Sequence, residues 1–183
     1  MSSTYRGLRA LTLAAVCAAF LNIPAALASG SGSHGHGKAE PGHHGGGHGT
    51  DIGAPGEPRD VRRNIRITMT DNAFKPAKLK VKAGETVRFK VMNNGEFVHE
   101  FNIATVSMHA AHQQEMAEMM EKGHMTVDRI VHPMAHAHGN SILLEPGQGG
   151  EIIWRFPAET ALEFACNVPG HYESGMRGPV TIR

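Results

Sequence analysis

From residue 62 onward, apolar and polar side chains alternate along the chain. Ile65, Ile67 and Met69 are separated by Arg66 and Thr68, and Leu79 and Val81 stand among Lys78, Lys80 and Lys82. Val87, Phe89 and Val91 are separated by Arg88 and Lys90. A period of two puts one set of side chains into a core and the other into water, so each segment predicts a strand. Ala83-Gly84-Glu85 and Asn93-Asn94-Gly95 supply turn chemistry between them. Further short strands are predicted at His99 to Ile103, Ile142 to Leu144, Ile152 to Phe156, Leu162 to Cys166 and Pro179 to Ile182. About eight short strands in about 120 residues predict an all-β Greek-key β-sandwich with one core.

Three stretches depart from this pattern. Ser107 to Lys122 contains no Gly, Pro or β-branched residue and is followed by Gly123, which predicts a helix with a glycine just past its end. It belongs to an insertion spanning 105–139. Residues 29–60 begin with a Gly- and His-rich run containing His34, His36, His43, His44 and His48. With almost no large apolar side chain, that run cannot offset its ordering entropy by burial, so a disordered tail is expected ahead of a folded domain over 61–183. At the start, Arg6 and Arg9 precede the apolar run Leu11 to Leu21, which is too short to span a bilayer, and Ala26-Leu27-Ala28 is a small-x-small cleavage site. Residues 1–28 therefore read as a signal peptide cleaved after Ala28, which predicts an exported, periplasmic protein whose mature chain has no membrane insertion. A lipid anchor on Cys17 is the weaker alternative, because Val16 directly precedes it and the apolar run continues beyond it.

Removing that segment changes the charge and the cysteine count. The whole chain has 18 basic and 17 acidic residues; without Arg6 and Arg9 the count is 16 against 17, a net of −1. A near-neutral chain gives no reason to expect binding to nucleic acid or to a charged membrane surface, and a monomer is expected. Cys166 becomes the single cysteine of an exported protein, where it cannot close an internal disulfide.

Metal ligation is a use for that thiol. The run Cys166-Asn-Val-Pro-Gly-His171-Tyr-Glu-Ser-Gly-Met176 offers a thiolate, an imidazole and a thioether on one turn-rich loop after a strand. A trigonal His₂Cys site with a weak axial Met is the blue-copper electron-transfer arrangement. His99 is the leading second imidazole, with His132, His136 and His138 as rivals. Leu162 and Phe164 share parity with Cys166, so its side chain should point into the sandwich. Zinc also takes Cys and His, but structural zinc sites use more thiolates in paired spacings, so copper is the expected cofactor.

These residues resemble the cupredoxins over roughly 62–183. The resemblance rests on Phe74-Lys-Pro76, on Val81-Lys-Ala-Gly84-Glu-Thr-Val87-Arg-Phe89, on Asn94-x₄-His99-Glu-Phe101 and on the Cys-x₄-His-x₄-Met loop, in that order. The loop spacing is similar to that of auracyanin and rusticyanin, and the chain looks most like the periplasmic cupredoxins linked to copper tolerance. The resemblance implies an eight-stranded sandwich with one type 1 copper held by His99, Cys166, His171 and Met176. It also implies one-electron transfer near the edge of His171 with a redox protein partner. A soluble electron carrier with no role in detoxification is the alternative. Multicopper oxidases relay electrons through histidines flanking the copper cysteine; here Ala165 and Asn167 stand there, so oxygen reduction by that route is not expected.

The insertion carries six Met and six His: Met108, His109, His112, Met116, Met119, Met120, His124, Met125, His132, Met134, His136 and His138. At helical spacing Met108, His112, Met116 and Met119 share a face. Thioethers prefer Cu(I) and imidazole accepts either oxidation state, so additional copper ions and oxidation of Cu(I) are expected here; a Met stripe packed on the sandwich is the alternative.

Overall fold

The computed structural model describes residues 51–132 and 139–183. Two five-stranded sheets form the sandwich. The first runs, side by side, β1 (Ala54–Pro55), β8 (Gly149–Arg155), β5 (Thr86–Asn93), β2 (Arg63–Thr70) and β3 (Ala73–Lys75). The second runs β4 (Leu79–Val81), β10 (Arg177–Ile182), β9 (Leu162–Ala165), β6 (His99–Ala104) and β7 (Ser141–Leu144). The pairs β2–β5 and β4–β10 are parallel, and the other pairs are antiparallel. Inward residues of the alternating strands meet between the sheets: Ile67, Met69, Phe89 and Val91 face Phe101, Ile103, Leu162 and Phe164. Phe74 meets Phe101 and Phe164 edge-on at 6.0 and 5.1 Å, a preferred aromatic geometry.

All eight expected strands are present, and β1 and β3 are short additions. β1 moves the ordered boundary earlier than expected. Ala54 pairs with Arg155, Gly56 N–H donates to the Ile153 carbonyl (2.9 Å), and the Trp154 indole N–H donates to the Ile52 carbonyl (3.0 Å). Residues 51–60 are thus attached to the edge of β8, where they also satisfy a buried indole, instead of belonging to a free tail. The expected signal peptide and the tail over 29–50 lie outside the described residues.

The insertion begins with α1 (Val106–Glu121). The Thr105 side chain caps it by accepting from Met108 N–H (3.3 Å), and Gly123 takes a positive φ of 71° just beyond its end. Because α1 follows β6 directly, it folds back over the outer face of the second sheet. β6 is consequently buried on both faces, with Glu100, Asn102 and Ala104 under the helix and His99, Phe101 and Ile103 on the other side. No helix among the described residues is long and apolar enough to cross a membrane.

Candidate metal centre

At one end of the sandwich, the start of β6 brings His99 against the loop that follows β9. The Nδ1 atoms of His99 and His171 lie 3.1 Å apart, and the Cys166 Sγ lies 3.3 Å from His171 Nδ1 and 3.9 Å from His99 Nδ1. Among the described residues these are the one set of three His, Cys, Asp or Glu side chains whose donor atoms all lie within 4.8 Å of one another. Their spacing suits a single first-row transition metal, whose bonds to such donors are about 2.0–2.3 Å. Cys166 has no exposed surface, as strand parity predicted.

The loop is tied at both ends. Cys166 N–H donates to the Met176 carbonyl and Met176 N–H to the His171 carbonyl, both at 3.0 Å. Between these ties the chain reverses at Gly170 and Gly175, whose φ values of 85° and 95° a side chain would strain. Met176 is fully buried directly before β10.

Each imidazole has a defined setting. His99 Nε2 lies 3.0 Å from Asp71 Oδ1; a carboxylate only accepts, so Nε2 carries the proton and Nδ1 faces the other donors. Asp71 is itself held by the Glu96 N–H (3.0 Å). Burial lowers the His99 pKa from its ordinary 6.5, against the opposing pull of Asp71, and burial likewise lowers that of His171. Burial pushes the Cys166 thiol up to about 12. His171 keeps part of its surface, and Phe97, itself exposed, stands 6.3 Å from its ring centroid.

Behind the sulfur lies a buried polar network that the sequence did not disclose. The Glu100 N–H donates to Cys166 Sγ (3.3 Å). The Glu100 carboxylate, in a residue only 1 % exposed, accepts from Asn167 Nδ2 (2.7 Å), Asn102 Nδ2 (3.3 Å) and His112 Nε2 (3.0 Å). His112 Nδ1 meets the Glu115 carboxylate at 2.7 Å. With acceptors at both nitrogens His112 is an imidazolium, its pKa raised to about 9 chiefly by Glu100. His109 Nδ1 donates to Asn167 Oδ1 (3.2 Å), its Nε2 facing the Glu163 carbonyl at 3.5 Å. The residues next to the ligands, Glu100 and Asn167, thus fasten α1 onto the metal end.

A cupredoxin-like domain model matches residues 52–118, which include His99. The copper-resistant cuproprotein CopI of Pseudomonas aeruginosa is 42% identical over 153 residues, covering 74% of this chain and 84% of the relative. CopI of Rubrivivax gelatinosus is 38% identical over 176 residues, covering 96% and 98%. The chain belongs to the CopI cupredoxins. Auracyanin B shares the fold at a TM-score of 0.56 and 20% identity, covering 72% of this chain and 96% of that one.

The twelve insertion residues separate by environment. Met116 and Met125 are fully buried and pack in the core, and Met119 and Met120 are partly buried against it. His109 and His112 are engaged beneath the helix. The inward face of α1 is built on His109, His112 and Met116 instead of on Met108, which is 39% exposed. The rotation follows from the sheet beneath, where Asn167 and Glu100 receive imidazoles. His124 and His132 are exposed beyond the helix. Met134, His136 and His138 lie outside the described residues.

Proposed function

We propose that this chain is a periplasmic type 1 copper protein that serves copper tolerance by binding copper and passing single electrons. The observation that carries this reading is the convergence of His99, Cys166 and His171 donors, with Met176 buried on the same loop. The donor set fits copper: one soft thiolate and two imidazoles would hold it, with a thioether available on the same loop. Bound there, copper supplies reversible Cu(II)/Cu(I) cycling. The protein's part is to exclude water from Cys166, to fix His99 through Asp71, and to leave the His171 edge open beside Phe97 for a redox partner. The names of the CopI relatives support copper tolerance as the setting, and the signal-like segment over 1–28 supports export, with cleavage after Ala28.

Loading the purified protein with copper tests the centre. Strong visible thiolate-to-copper absorption, lost in Cys166→Ser, is the expected result; a colourless adduct would overturn it. Deleting the protein from its host should reduce growth on copper, and unchanged tolerance would favour a plain electron carrier.

A further inference from the structure

We propose that Glu100 and His112 act as a compensated charge pair that sets the reduction potential of the centre without touching the metal. This rests on the type 1 reading above. Among the described residues Glu100 is the only buried carboxylate. Taking such a charge out of water is costly unless it is paired and hydrogen-bonded. Here it is both, and it stands directly behind two ligands. Glu100 follows His99 in β6 and gives its N–H to Cys166 Sγ (3.3 Å). Its carboxylate accepts from Asn167, the residue after Cys166 (2.7 Å).

The donors around that carboxylate are of two kinds. Asn167 and Asn102 are neutral amides, each held from behind. Asn167 Oδ1 accepts from His109 Nδ1 (3.2 Å), and Asn102 Oδ1 accepts from Asn140 Nδ2 (3.2 Å), which also donates to the Ile103 carbonyl (2.9 Å). The one ion pair that Glu100 makes among the described residues is with His112, at 3.0 Å. The His112 side chain is 15% exposed, whereas Glu115, at its other nitrogen, is 69% exposed. Water therefore screens Glu115 but neither member of the inner pair.

A charge in a dry interior acts on its neighbours over several ångströms. Alone, the Glu100 carboxylate would favour Cu(II) over Cu(I) and make the centre a poor electron acceptor. The imidazolium of His112 cancels that field. Helix α1 thus supplies the charge that keeps the centre able to accept an electron. A pair that only fastens α1 to the sheet would have no such effect, and the two roles give different potentials.

The test uses the full chain loaded with copper. The equilibrium constant for its reduction by a dye of known potential is read from visible absorption near neutral pH. His112→Gln strands the carboxylate and should lower that constant at least about tenfold, the scale of one poorly screened unit charge several ångströms away. Adding Glu100→Gln removes the stranded charge and should restore most of the loss, whereas a loosened helix would deepen it. Glu115→Gln should leave the constant within about threefold of wild type, because that carboxylate lies in water. No fall in His112→Gln would overturn the proposal. So would recovery of less than half the logarithmic loss in the double variant, or a fall in Glu115→Gln as large as in His112→Gln. Should His112→Gln not keep its visible absorption, Glu100→Gln alone decides: the imidazolium left on His112 should raise the constant, and no rise would overturn the pair. A wild-type protein without thiolate absorption would instead overturn the type 1 reading, and this inference with it.

Discussion

An imidazole can offer either nitrogen to a metal, and at His99 the choice is made by Asp71. Gly95 leaves the space for that contact: a Cβ there would lie 2.4 Å from Asp71 Oδ1 and 2.7 Å from His99 Nε2. Gly95→Ala should therefore push the pair apart and lower copper affinity about 10–100-fold, the usual loss when a ligand's orienting partner is removed. Competition titration measures this, and unchanged affinity would mean that the loop moves aside without disturbing His99. At Cys166 the raised thiol pKa has a different consequence. Both centre histidines are lowered below 6.5, so near neutrality the metal-free centre holds one proton that binding must expel, the one on sulfur. The logarithm of copper affinity should climb by about one unit per pH unit between about pH 7 and 9. A flat profile in competition titrations would show that the thiolate already exists without metal. Cys166, His171 and Met176 were legible in the sequence because one loop carries them at short spacing. Asp71 was not, since its role arises only where a turn 28 residues upstream meets His99.

Helix α1 was legible in its ends but not in its orientation. Composition and Gly123 marked where it runs, whereas the facing residues depend on what β6 and β9 present underneath. Glu100 looks like the wet position of a half-exposed strand until a helix covers it. Its pairing with His112 makes stability depend on pH. The folded-state pKa of His112 is raised from 6.5 to about 9, so the stabilisation is fully present below 6.5 and is lost as pH rises through 9. His112→Gln should lower the unfolding free energy of the copper-free protein by about 3 kcal/mol at pH 6, the scale for breaking a buried ion pair. The gap should narrow by about pH 10, because the wild type then holds a neutral imidazole. Urea unfolding at the two pH values measures it, and an equal gap at both would assign the loss to packing alone.

The centre draws its donors from β6 and from the loop between β9 and β10, so it is built across the end of an already packed core. The His99 ring is held by Asp71 and the loop by backbone hydrogen bonds, none of which involves a metal. Phe101 and Phe164, on the strands that carry His99 and lead to Cys166, have no exposed surface, and their burial does not depend on ligation. This differs from small metal domains that fold only when the ion binds. The copper-free protein should accordingly keep its near-ultraviolet circular dichroism and unfold in one cooperative transition. Copper should then act as a ligand of the folded state. At free copper about a thousandfold above Kd it contributes about 4 kcal/mol, which for a domain of this size raises Tm by roughly 10–20 °C. In Cys166→Ser that rise should largely disappear while the copper-free Tm stays within a few degrees of wild type. A chelated wild-type protein that loses its tertiary signal would show that the metal builds the end of the sandwich, and the preformed donor geometry would then have to be abandoned.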